Sequence, residues 1–106
     1  MATESDLKCA LLDMFARYPA LGFRPANRVV GMIKRRGAVK AVERLLDPKK
    51  EPQSGFKDLV KGGKPEMTVE GLILASKGFP TLFQREHLLV AYGRLTKAGY
   101  TPRWRP

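Results

Sequence analysis

Residues 25–46, PANRVVGMIKRRGAVKAVERLL, contain two helical patterns separated by a single glycine. Pro25 lies near the first turn of a helix predicted over about 25–36, because a residue without an N–H is tolerated there. Gly37 is expected to end that helix, and a second helix follows over about 38–47. The apolar residues that recur at helical spacing are Ala26, Val29, Val30 and Ile33, then Ala38, Ala41, Val42, Leu45 and Leu46.

The sequence before and after these two helices is also helical in pattern. Apolar residues from Leu7 to Tyr18 recur at helical spacing, so a helix precedes the pair, with Thr3 or Ser5 as its cap and Pro19 at its end. Residues 47–54, DPKKEPQS, contain no apolar residue, and they predict an exposed loop.

Three further helices are predicted after this loop. Ser54 is expected to cap a short helix over residues 55–61. The next apolar run is rich in β-branched residues and also fits a strand, but Thr68 with Glu70 in the first turn favours a helix. Thr81 and Gln84 have the spacing of a capping box for the last helix.

The length and composition indicate one folded domain. A chain of 106 residues that is 43% hydrophobic can bury a core without the help of disulfides or a structural metal. We therefore predict an all-α fold, a compact bundle of five or six short helices, with residues 1–100 as the domain and 101–106 as a basic tail. Cys9 is the lone cysteine, so a reducing compartment is the default. Without a secretory signal or a membrane-spanning apolar run, we expect a cytoplasmic location.

Positive charge is concentrated in one part of the chain. The net charge is +10, and residues Met14–Val42 contain seven Lys or Arg and no Asp or Glu. Arg24, Arg28 and Arg35 share one side of the predicted helix with Gly31, whose missing side chain leaves a notch for a phosphate backbone or another helix. Such a side either contacts a phosphate backbone, or is a solvated face, or has its arginines paired with acids from distant segments.

The two helices joined through Gly37 also fit a helix-turn-helix motif, with Lys40 and Arg44 offered to a DNA groove. Glu43 falls where that motif usually buries an apolar residue, and Asp47 adds a second acid among the cations. A helical hairpin of a generic bundle is therefore favoured over groove insertion.

The C-terminal residues TPRWRP place Trp104 between Arg103 and Arg105. An aromatic side chain flanked by arginines can stack on a base while the arginines hold phosphates. Alternatively, Trp104 folds back over apolar surface beside Tyr100, or the tail is mobile. The sequence leaves these alternatives open.

Catalytic patterns are absent from the sequence. His87 and Cys9 are the sole residues of their types, so the usual zinc ligand sets cannot be assembled in one chain. The sequence has no phosphate-binding G-x-x-x-x-G-K-[ST] loop, no G-x-G-x-x-G and no G-x-S-x-G. We expect no enzymatic activity and no cofactor, and no small-molecule substrate is evident.

Several segments occur together in a recognisable order: GFRP (22–25), RGAVKAVERLL (36–46), SGFKDL (54–59), MTVEGLIL (67–74), LF (82–83) and RL to GY (94–100). They resemble a small bacterial all-helical domain of uncharacterised function, whose members follow GY-x-P, GG-x-x-AA-x-x-LL, GF-x-x-L, LT-x-E-x-x-VL, LF and A-x-x-RL-x-x-x-GY. The resemblance covers about residues 15–100. It implies a domain that occurs alone or as an accessory piece of larger proteins, without a catalytic motif. This chain departs from the pattern in Arg28, Lys34, Arg35 and its Arg-Trp-Arg tail.

These observations predict a non-enzymatic module that binds nucleic acid, with DNA favoured, through a basic helical face and a basic tail. The alternative is a protein-interaction module, an adaptor or inhibitor, that docks its basic face on an acidic partner. The residues expected to contact phosphates or bases are Arg24, Arg28, Lys34, Arg35, Arg36, Lys40, Arg103, Trp104 and Arg105.

Overall fold

A computed structural model describes residues 2–106. Its six α-helices are α1 (Glu4–Arg17), α2 (Asn27–Arg36), α3 (Ala38–Leu45), α4 (Ser54–Lys61), α5 (Val69–Leu74) and α6 (Arg85–Lys97). Short 3-10 turns occupy Pro19–Leu21, Pro65–Met67 and Phe79–Leu82. The described residues contain no strand, so the predicted all-α bundle is confirmed, and the run after Thr68 is a helix.

The core lies where three helix pairs meet. α2 and α1 both pack against α3, and α5 packs against α6. Leu7 and Leu11 of α1 are fully buried between them, together with Ile73 of α5 and Leu95 of α6. The radius of gyration is 12.5 Å, close to the roughly 13 Å of a folded chain of this length.

Local hydrogen bonds explain where α1 and α5 begin. Thr3 and Asp6 form a reciprocal capping box at the start of α1. The hydroxyl of Thr68 accepts the N–H of Gly71 at 2.9 Å, which satisfies one of the free donors at the start of α5. The cap predicted at Thr68 is therefore present, and of the two candidates for α1 the structure uses Thr3.

Two other predicted caps are wrong. α4 begins at Ser54 itself, and the residue before it, Gln53, makes no side-chain cap hydrogen bond. Thr81 lies inside the 3-10 turn over Phe79–Leu82, where its hydroxyl donates to the carbonyl of Gly78 at 2.6 Å, and the residue that precedes α6 is Gln84, which makes no side-chain cap hydrogen bond. Pro80 in the same turn cannot extend a regular helix, and α6 begins only at Arg85.

The connection between α2 and α3 is one residue long. Gly37 has φ +88° and ψ 161°, a conformation that a residue with a side chain adopts rarely. A DNA-binding helix-turn-helix usually has a turn of about three or four residues. The connection at Gly37 therefore favours the helical hairpin over the helix-turn-helix.

The C-terminal tail packs against the helices. The N–H of Trp104 donates to the carbonyl of Leu74 at 3.1 Å. The Trp104 ring meets the Tyr92 ring edge to face, with centroids 6.1 Å apart, and Pro102 is buried. Trp104 thus folds back over apolar surface, as one of the open alternatives proposed, with Tyr92 as its aromatic neighbour.

None of the helices in residues 2–106 combines the length and apolarity needed to cross a lipid bilayer.

Gly71 marks the closest backbone approach in the fold. A methyl group at this position would lie 2.5 Å from the carbonyl oxygen of Pro65, and backbone atoms cannot move aside as a flexible side chain can. We expect Gly71→Ala to lower the free energy of unfolding by about 2 kcal/mol or more, measured by urea denaturation.

The matched control is Gly93→Ala in α6, where an added methyl group meets nothing within 4 Å. There the gain in helix propensity, up to about 1 kcal/mol, should raise stability. Equal effects of the two substitutions would contradict the close packing at Gly71.

Candidate nucleic-acid interface

Five of the predicted cations form an exposed group on α2 and α3, which we call the basic face: Arg28, Lys34, Arg35, Arg36 and Lys40. Within residues 2–106, no carboxylate oxygen lies within 4.0 Å of any of their charged nitrogens. Arg28 and Arg35 lie on the side of α2 away from its buried residues, Val29 and Ile33, and Arg36 is exposed at the end of the helix. The basic face is therefore uncompensated by ion pairs within the described chain.

Arg24 differs from these five cations. Its Nη2 lies 2.6 Å and its Nε 3.1 Å from Oδ2 of Asp58 in α4. The Arg24 side chain remains 70% exposed, so this surface ion pair contributes only about 0–1 kcal/mol. Arg24 belongs to the predicted site, but an acid from a distant segment neutralises it.

The expected notch at Gly31 is narrowed by a neighbouring side chain. Nη1 of Arg35 lies 3.1 Å from the position that a Gly31 side-chain carbon would occupy. Residues i and i+4 share a helix face, so the guanidinium of Arg35 folds back over the glycine. Any anion that approaches Gly31 therefore meets Arg35 first.

One acid lies close to the end of α2. Oε2 of Glu4 accepts the N–H of Val39 at 2.9 Å, in the first turn of α3. A carboxylate at a helix N-terminus satisfies a free donor and complements the helix dipole. The start of α3 is thus already satisfied by Glu4, and no local sequence pattern marks a pairing between residues so far apart.

A polar groove of about 470 Å³ lies beside α3. Its lining combines Arg36 and Lys40 of the basic face with Arg44, three acids, Pro48 and His87. The acids are Glu43, Asp47 and Glu86. Charge in the groove is mixed, whereas the remainder of the basic face carries cations alone.

The tail cations lie on other elements. Arg103 and Arg105 are exposed, and they flank Trp104, which the structure anchors to Leu74 and Tyr92. Leu74 ends α5 and Tyr92 lies in α6, whereas the basic face is built on α2 and α3. Trp104 is half-buried against Tyr92. Its ring is therefore not a free platform for stacking on a base, which is one of the alternatives that the sequence leaves open.

A pocket of about 310 Å³ opens between the first turns of α2 and α4. Phe23 and Phe56 are half-buried on its walls, and Arg24 and Arg28 lie among its lining residues. The sequence did not indicate this pocket, because its lining residues come from all six helices and their connections, which meet only in the folded chain.

A buried ion pair lines the same pocket. Nη1 of Arg94 lies 3.0 Å from Oε2 of Glu70, and both side chains are less than 10% exposed. Arg94 also donates to the carbonyls of Leu45 at 2.7 Å and Lys50 at 3.0 Å. Burial raises the pKa of Glu70, while Arg94 acts in the opposite direction.

Tyr18 is the other buried titratable group at the pocket. Its hydroxyl donates to the carbonyl of Met67 at 2.6 Å. Burial, with a smaller contribution from the charge of Glu70, raises the pKa of Tyr18 well above its ordinary value of 10.0. The native state therefore holds this phenol in its neutral form.

Metal ligation has no candidate cluster in residues 2–106, since no group of three or more His, Cys, Asp or Glu side chains is placed to hold an ion.

Removing one partner of the buried Glu70–Arg94 ion pair should lower the stability of the protein. Arg94→Met leaves Glu70 buried without a cation, and we expect the free energy of unfolding to fall by about 3–5 kcal/mol in urea denaturation. The double substitution Glu70→Met with Arg94→Met should recover much of that loss. Lys97→Met, an exposed change on the same helix, is the control and should stay within about 0.5 kcal/mol. A similarly small effect of Arg94→Met would show that the pair is not buried.

The raised pKa of Tyr18 predicts a loss of stability in alkali. Above about pH 10 the unfolded tyrosine loses its proton while the native one keeps it, so unfolding is favoured by about 1.4 kcal/mol per pH unit from this group. Tyr18→Phe lacks the ionisation. The wild-type advantage from the hydroxyl hydrogen bond should therefore hold from pH 7 to about pH 9 and shrink above about pH 10, as measured by urea denaturation. A difference that stays constant would contradict the burial of this hydroxyl.

No protein-family model, curated protein or solved structure matches the chain. The resemblance to a small bacterial helical domain stays a prediction, and the geometry of the molecule carries the functional argument.

Proposed function

We propose that this chain is a non-enzymatic module that binds nucleic acid, DNA in the first instance, by holding phosphates on the basic face. One observation carries the proposal: five exposed cations on α2 and α3 have no carboxylate within 4.0 Å in residues 2–106. Clustered like charges destabilise a fold through mutual repulsion, and a bound polyanion relieves that repulsion. The protein cations then replace the counterions that were condensed on the nucleic acid.

The spacing of the cations supports contact along a phosphate backbone. Arg28 and Arg35 are seven residues apart, so they lie on one side of α2 at about 10 Å along its axis. Lys40 continues the basic face on α3, directly after the turn at Gly37. Arg24 must leave Asp58 to contribute fully, and Arg103 and Arg105 would add contacts from the tail, which packs against Leu74 of α5 and Tyr92 of α6.

The binding should depend strongly on salt. With about five phosphates neutralised, the logarithm of the affinity for duplex DNA should fall against the logarithm of the salt concentration with a slope of about −4 to −5. Fluorescence anisotropy with a labelled duplex measures this slope. A slope shallower than about −2 would overturn the proposal.

A matched pair of variants locates the contacts. Arg28→Gln with Arg35→Gln removes two charges from the basic face and should reduce the steepness of the slope by about two. Lys77→Gln with Lys97→Gln removes the same charge from exposed positions outside the basic face and should leave the slope nearly unchanged. Equal changes in both variants would mean that net charge, and not this face, determines binding.

The mixed groove beside α3 supports a second candidate function. Glu43, Asp47 and Glu86 would repel phosphates there, whereas alternating charges suit the surface of a protein partner. The second candidate is an adaptor or inhibitor that docks its basic face on an acidic protein surface, with cations of that partner opposite the three acids of the groove. Failure to bind duplex DNA, single-stranded DNA and RNA at low salt would favour this candidate.

A further inference from the structure

We propose that the pocket between α2 and α4 takes a nucleobase from a single strand whose phosphates lie on the basic face. This inference rests on the proposed function and deepens it by naming the form of the ligand. It starts from one juxtaposition: Arg28 belongs to the basic face and also lines the pocket of about 310 Å³. A phosphate held by Arg28 therefore lies within reach of an apolar cavity.

The walls of the pocket suit a flat aromatic ring. The rings of Phe23 and Phe56 are half-buried along it, so both retain surface that the core does not cover. The Phe23 ring is held in place on its other sides, because it meets the Tyr18 ring edge to face at 6.3 Å and lies against Gly62. Rigid aromatic walls provide stacking surface without a large loss of side-chain freedom on binding.

The charged groups deeper in the pocket are already satisfied. Arg94 donates to Glu70 and to the carbonyls of Leu45 and Lys50, so its guanidinium is engaged within the protein. The pocket thus provides apolar contact from its phenylalanines, and the polar side chains of Asn27, Gln53 and Ser54 also line it. Recognition that rests mainly on stacking tolerates any base, and we expect little sequence preference.

The mouth of the pocket is cationic. Arg24 and Arg28 lie there with one acid, Asp58, which pairs with Arg24. A nucleotide matches this arrangement, since its base is apolar on both faces and its phosphate is anionic. A base in a duplex must first be unstacked at a cost of a few kcal/mol, so a single strand is the expected form.

Gly55 is a lining residue at which a larger side chain can be added to obstruct the pocket without a clash at its first carbon. It lines the pocket, and a side-chain carbon added there meets no atom within 4 Å. Gly93 in α6 has equally open surroundings, lies outside the pocket and is the matched control. Gly55→Leu and Gly93→Leu both replace a helical glycine, so both should keep the fold, which thermal unfolding of each variant would verify.

The test compares two single strands of equal charge. One is an oligothymidylate of about twelve nucleotides, and the other is the same strand with abasic sugars throughout. By fluorescence anisotropy at low salt, the wild-type chain and Gly93→Leu should bind the strand with bases roughly five- to a hundredfold more tightly. Gly55→Leu should bind both strands with the weaker affinity.

The outcomes distinguish the pocket inference from the proposed function. Equal affinity of the wild-type chain for both strands, with a steep salt slope, would overturn the nucleobase pocket and leave the basic face standing. Equal base preference in Gly55→Leu and Gly93→Leu would overturn it as well. If the wild-type chain binds neither single strand and does not bind duplex DNA, the proposed function and the pocket inference are overturned together.

Discussion

The Arg94 guanidinium connects α6 by hydrogen bonds to three other parts of the fold. It links α6 to Glu70 of α5 and to the carbonyls of Leu45 and Lys50. Taking two charges out of water costs several kcal/mol per ion, so such a pair is tolerated only when further hydrogen bonds complete it. The loop over 47–54 has no apolar residue of its own, and the bond to Lys50 fixes its path toward α4. One wall of the pocket depends on that path.

The sequence predicted those features that repeat locally. The spacing of the apolar residues predicts the helices, and the residues just after Thr68 predict that it caps α5. Contacts between distant segments had no such signal. Arg94 belongs to the segments that resemble the bacterial domain. No residue near it in the sequence indicates an ion pair with Glu70, which lies 24 residues away. The pairing of Arg24 with Asp58 was foreseen only as a general possibility. For the same reason the basic stretch was visible in the sequence, while the pocket beside it was not.

The basic face and the packing of α2 are two consequences of the same pattern. Because α2 buries Val29 and Ile33, its cations have no route into the interior and must face water or a partner. Glu4 of α1 accepts the backbone N–H of Val39 and complements the dipole of α3. The chain thus uses a carboxylate that might have neutralised the face to hold α1 against the hairpin. This arrangement leaves the charge of α2 available at the surface.

The docked tail has a practical consequence for watching this molecule in solution. Trp104 is the sole tryptophan, and it is half-buried beside Tyr92 with its backbone held by Leu74. Its emission therefore reports the state of the last six residues separately from the helical core. A red shift at constant helical circular dichroism would reveal release of the tail alone. The protein thus carries an intrinsic optical marker within its C-terminal tail.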